Sequence, residues 1–106
     1  MKWTKPRIIE HTLDYEVRAK KYNIFARVIY SDVSNDYYFT LENLPSISGD
    51  KKFAFKSSWK YKPFRSEDSC KRACEKYIDD YMQRLKKDIK KERKLARKSA
   101  KKNIQG

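Results

Sequence analysis

From Ile8 to Lys20 the chain alternates. Ile9, His11, Leu13, Tyr15, Val17 and Ala19 fall on one face of an extended segment, and Glu10, Thr12, Asp14, Glu16, Arg18 and Lys20 on the other. A period of two predicts a half-buried strand over residues 7–20. After Asn23 a second alternating run, residues 24–31, sets Ile24, Ala26, Val28 and Tyr30 against Phe25, Arg27, Ile29 and Ser31. The turn-forming stretch "SDVSND" leads into a third, residues 36–42, where Tyr37, Phe39 and Leu41 alternate with Tyr38, Thr40 and Glu42. The second and third strands read as a hairpin. "NLPSISGDKK" is a loop, followed by a fourth strand over residues 52–59 with Phe53, Phe55, Ser57 and Trp59 on one face. Pro63 argues against a central strand beyond it.

The period then changes. Ser66 is suited to cap a helix, and Glu67 and Asp68 bring negative charge to its first turn, where it complements the helix dipole. Cys70, Ala73, Cys74, Tyr77, Ile78, Tyr81, Met82, Leu85 and Ile89 recur at spacings of three and four, the apolar stripe of a helix that lies on a sheet. The stripe thins after Ile89, yet good helix formers continue and neither proline nor glycine intervenes before Gly106. Carried to Lys102, such a helix spans about 54 Å at 1.5 Å per residue. The expected fold is therefore α+β: an antiparallel sheet of about four strands under one long C-terminal helix, with a single domain over residues 1–85 and a basic helical extension or tail over 86–106.

Charge sharpens this division. Residues 83–106 hold 11 of the 27 Lys and Arg residues and only Asp88 and Glu92 as acids, giving +9. The remaining residues carry +4, so most of the net charge of +13 belongs to the tail. Such asymmetry points to a polyanionic partner. "MKWTKPRIIE" lacks the apolar run of a secretory signal, and no stretch is apolar enough to span a bilayer. Two cysteines make no disulfide framework. A soluble protein of a reducing, cytoplasmic compartment is expected.

Enzymatic chemistry finds little support. Cys70 and Cys74, one turn apart, lack further soft partners for zinc and read as small buried residues. His11, on the apolar face of an alternating strand, points away from Glu10, Asp14 and Glu16, which disfavours an acid–base pair. With only Gly49 and Gly106, no phosphate-binding glycine loop can be written. Glu67–Asp68 and Asp79–Asp80 are adjacent pairs that diverge on a helix, so capping and surface roles account for them. No catalytic residue, metal ligand or cofactor is expected.

Two basic segments remain. "KKFAFKSSWKYKPFR" interleaves Lys52, Lys56, Lys60, Lys62 and Arg65 with aromatics that either stack on unpaired bases or face the helix. The second reading is preferred, because a small sheet needs its aromatics for the core. The tail offers Lys86, Lys87, Lys90, Lys91, Arg93, Lys94, Arg97, Lys98, Lys101 and Lys102 as phosphate contacts, with too narrow an apolar face for membrane binding. Over residues 24–82 the strand–strand–strand–helix order looks like the coarse topology of double-stranded-RNA-binding domains and of the arm-binding domain of tyrosine recombinases. The RNA module implies lysines at the start of its last helix, where this chain has Glu67 and Asp68, so no family follows. The expected function is non-enzymatic, sequence-nonspecific binding of RNA or DNA, alone or in a nucleoprotein complex. The rival is a small inhibitor or adaptor, for example a virus-encoded one, that binds a nucleic-acid-processing complex such as a host nuclease or defence effector, its basic face either occupying a site meant for phosphates or docking on an acidic protein groove, with Tyr30, Tyr37, Tyr38 and Tyr61 as exposed anchors.

Overall fold

The computed structural model describes residues 1–46, 53–56 and 62–105. It contains β1 (Arg7–Ile8), β2 (Tyr15–Lys21), β3 (Ile24–Ser31), β4 (Asp36–Leu44), β5 (Phe53–Lys56) and α1 (Glu67–Gln105). The strands lie in chain order in one sheet, each antiparallel to its neighbour. Four main strands and the two-residue β1 at the edge thus form a meander, and α1 packs against β3 and β4. The arrangement is α+β, as the two hydrophobic periods require.

The predicted first strand is interrupted. Alternation runs unbroken from Ile8 to Lys20, but the backbone folds back at residues 9–14, and β1 pairs with β2 through Arg7↔Glu16 and Ile8↔Tyr15. Local hydrogen bonds explain the reversal. The Thr12 hydroxyl donates to the Ile9 carbonyl at 2.8 Å and accepts from the Asp14 amide at 3.2 Å, while the Ile9 amide donates to the Asp14 carbonyl at 2.9 Å. Thr and Asp side chains that bond nearby backbone compete with a strand ladder. His11 takes φ 64° at this turn, and its side chain is 89% exposed. It therefore lies on no apolar face, and its neighbour is Glu10 at 3.4 Å. Leu13, expected inside, is also exposed.

Tyr22 and Asn23, both with positive φ, connect β2 to β3 in a two-residue turn whose handedness suits strand twist. The β3–β4 hairpin pairs Ser31 with Asp36, and Asn35 closes its turn at φ 52°. β4 extends beyond the predicted residue 42 because of an irregularity between Leu41 and Leu44, where Asn43 adopts φ 65°. Residues three apart in a regular strand face opposite ways; the bulge lets both leucines enter the core, each at 0% exposure. Of the predicted fourth strand, Phe53–Lys56 is seen as β5, and residues 52 and 57–59 lie outside the described residues.

The helix begins as its sequence directs: the Ser66 hydroxyl accepts from the Ser69 amide at 3.1 Å, capping the first turn. Cys70, Cys74 and Ile78 are fully buried against Val17, Ile24, Ala26, Val28, Phe39, Leu41, Leu44 and Phe55. Phe55 stacks on Tyr77 with centroids 4.4 Å apart, so this aromatic belongs to the core and is not a platform for bases. Phe64 packs against the same cluster, and its backbone bridges to Tyr37. At one end of the core Met1 and Trp3 close over the helix, with the Trp3 indole N–H donating to Glu75 at 3.1 Å. Tyr81 donates to the Pro45 carbonyl at 2.6 Å, and Lys21 meets Asp79 at 2.8 Å, fastening the same helix to the sheet's connections.

Ile78 sits at the centre of this contact with no exposed surface. Ile78→Ala should lower unfolding stability by about 2–5 kcal/mol, read as a reduced urea midpoint with an unchanged denaturant slope.

Candidate nucleic-acid interface

Helix α1 is unbroken from Glu67 to Gln105. At 1.5 Å per residue it is about 58 Å long, in a molecule with principal extents of 66 × 22 × 22 Å. Leu85 and Ile89 are the last half-buried residues on it, and every described side chain from Lys90 to Ala96 is exposed. The helix thus continues past Ile89 as an arm whose described side chains, Lys90 to Ala96, do not pack on the sheet.

Helical geometry sorts the arm's charges. At about 100° per residue, Lys86, Lys87, Lys90, Lys91, Arg93 and Lys94 fall within one arc of roughly 180°. Arg97, Lys98, Lys101 and Lys102 occupy backbone positions within the same arc. Asp88 and Glu92 lie outside it, on the side that continues the stripe of Cys70, Cys74 and Ile78. The centre of the basic arc is therefore roughly opposite the face that packs on the sheet. Among the described residues, Lys86, Lys87, Lys90, Lys91, Arg93 and Lys94 form no ion pair with an acid.

The body treats several of its cations differently. Glu16, only 6% exposed, accepts from Arg18 with contacts at 2.6 and 2.9 Å and pairs with Arg27 at 3.5 Å; Arg27 also reaches Glu42 at 3.1 Å. These residues lie on the sheet face opposite α1. Lys71 pairs with Glu67 along the helix at 3.4 Å. Register places Lys56 opposite Thr40, which pairs with Arg27 and through it Arg18, so Lys56 belongs to a row on that open face. Lys62 and Arg65 are exposed ahead of the helix start. About 19 helical residues, or roughly 29 Å, separate that end from Lys86. Lys62 and Arg65 therefore do not join the arm in one track. Lys52 and Lys60 lie outside the described residues.

Of the tyrosines expected as exposed anchors, Tyr30, Tyr37 and Tyr38 are half-buried. Tyr15 and Tyr30 stack at 5.1 Å, Tyr30 and Tyr37 stand 5.1 Å apart, and the hydroxyls of Tyr15 and Tyr37 are 3.0 Å apart. Burial, then the bond to Tyr37, pushes the Tyr15 phenol upward, and Tyr30 and Tyr38 shift the same way, chiefly through desolvation. Register places Tyr15, Tyr30 and Tyr37 on the helix-side face of the sheet and Tyr38 on the opposite one. Tyr61 lies outside the described residues.

Three shallow grooves of about 270, 290 and 320 Å³ border Arg18 on the open side of the sheet. Among the described residues no three His, Cys, Asp or Glu side chains cluster as metal ligands, and no helix is long and apolar enough to cross a membrane. No family model matches the chain, and neither a curated protein nor a solved structure does.

Cys70 and Cys74 are free and buried in the core. Desolvation, with a smaller contribution from Glu67, pushes the Cys70 thiol up to about 12, and burial raises Cys74 as well. A raised thiol pKa leaves the neutral, unreactive form at ordinary pH. Native protein at about pH 8 should therefore leave a chromogenic disulfide reagent unconsumed, and both thiols should titrate only after denaturation.

Proposed function

We propose that this is a non-enzymatic nucleic-acid-binding protein whose helical arm contacts phosphates without reading sequence. The observation that carries the reading is the gathering of exposed, unpaired Lys86, Lys87, Lys90, Lys91, Arg93 and Lys94 on one half of a helix that has left its own domain. Cations left without internal partners keep their full capacity to displace counterions from a polyanion. From Lys86 to Lys102 the arm has no Asn or Gln to bond adenine, which suits contacts that position rather than specify. The sheet and core act as the mount that holds the arm, and Lys56, Lys62 and Arg65 are secondary contacts on other parts of the body. A cytoplasmic setting fits two thiols kept reduced in the core.

The test is a salt series of anisotropy titrations with labelled DNA and RNA. Each phosphate neutralised on duplex DNA contributes about −0.9 to the log–log slope, so six contacts give roughly −5. Replacing Lys90, Lys91, Arg93 and Lys94 by Gln should weaken binding and reduce the slope by about 3–4, with the far-ultraviolet circular dichroism of the helix retained. Failure of the unaltered protein to bind any of these polymers at low salt would overturn the reading and favour an acidic protein surface as the arm's partner.

A further inference from the structure

Resting on that reading, the arrangement of charge around the arm says which polymer it fits. We propose that the arm lies in the major groove of duplex DNA, with its basic half-cylinder turned inward and Asp88 and Glu92 turned out to solvent.

The width of the basic arc is the first reason. A helix lying along a single phosphate ridge touches it with a narrow strip, and cations far from that strip reach nothing. An arc of roughly 180° places cations on both flanks of the helix as well as at its centre. All of them find phosphates only where walls rise on both sides. The B-form major groove is about 12 Å wide, close to the 10–12 Å diameter of a helix with its side chains. From Lys86 to Lys102 the stripe runs about 24 Å along the axis. A B-form duplex carries one charge per about 1.7 Å, so some 14 phosphates lie within that length, enough to engage every cation of the arm.

The alternatives fit the same observations less well. Single strands are held by aromatic platforms interleaved with cations, and no Phe, Tyr or Trp follows Tyr81. In A-form RNA the major groove is deep and narrow and closed to such an element, and the minor groove is wide and shallow without walls.

Charge placement is separable from charge amount. In the combined variant Lys87→Asp, Asp88→Lys, Lys91→Glu and Glu92→Lys, composition and net charge are unchanged, but two acids enter the basic arc and two lysines leave it. Anisotropy titrations would compare this variant with the unaltered chain on a 24-base-pair DNA duplex, the RNA duplex of the same sequence and the single DNA strand. The unaltered protein should favour the DNA duplex over both other polymers by about tenfold or more, and the rearranged variant should lose about tenfold or more on that duplex. Equal or tighter binding to duplex RNA or to the single strand overturns the groove assignment while leaving nucleic-acid binding in place. Undiminished duplex binding by the rearranged variant likewise overturns it, because net charge alone then suffices. Binding of the unaltered protein to none of the three overturns both this inference and the function on which it rests.

Discussion

A single sheet with one apolar face cannot stand alone in water, and everything else in this molecule follows from how that face is covered. Val17, Ile24, Ala26, Val28, Phe39 and Leu41 line up on one side of the meander, and among the described elements α1 is placed over them. Cys70, Cys74 and Ile78 supply the matching stripe, all at 0% exposure. Full burial of a side chain such as Ile78 contributes on the order of 1.5–3 kcal/mol, comparable to a sizeable fraction of a small domain's net stability. Small thiols near the start of the helix and a larger isoleucine one turn later let the helix lie close to the strands while Phe39, Phe55 and Tyr77 fill the space beside it.

The same constraint produces the arm. The nine-residue β4 is the longest strand among the described residues, about 30 Å end to end, and α1 is nearly twice that length. The sheet has surface for only part of the helix, and the remainder must be stabilised by its own propensity. Its composition suits this, but Lys and Arg neighbours at three- and four-residue spacing repel one another. A polyanion relieves that repulsion. Structure and proposed function therefore share one electrostatic logic: Glu16 and Asp79 tie body cations to the fold, whereas Lys86, Lys87, Lys90, Lys91, Arg93 and Lys94 form no ion pair among the described residues.

Much of the fold is legible in the sequence because two clean periods announce it. The alternation in residues 24–31 and 36–42, the cap at Ser66 and the Cys70–Ile78 stripe all correspond to observed elements, since there local preference and tertiary packing agree. Alternation misleads at Ile9, His11 and Leu13, where the hydroxyl of Thr12 and the carbonyl of Asp14 close a turn that a hydropathy pattern does not register. The bulge at Asn43 is likewise a backbone event, signalled only by a residue type tolerant of positive φ. The ionic row around Glu16 needs strand register, which no single strand contains. For the arm, the positions of the cations are in the sequence, but their gathering on the side away from the core depends on one uninterrupted helix joining the two segments. Trp3 is a further residue that pattern reading passes over, because it reaches Glu75 from outside any regular element.

Hydrogen exchange followed by mass spectrometry, on the full chain with and without a DNA duplex at low salt, locates the surface that meets the polymer. Exposed helical amides beyond the core open readily, whereas those under the Cys70–Ile78 stripe open with the domain. With duplex bound, exchange should slow across residues 86–102 and stay nearly unchanged in the sheet strands. Slowed exchange confined to the strands that carry Arg18 and Arg27, with the arm unaffected, would contradict it.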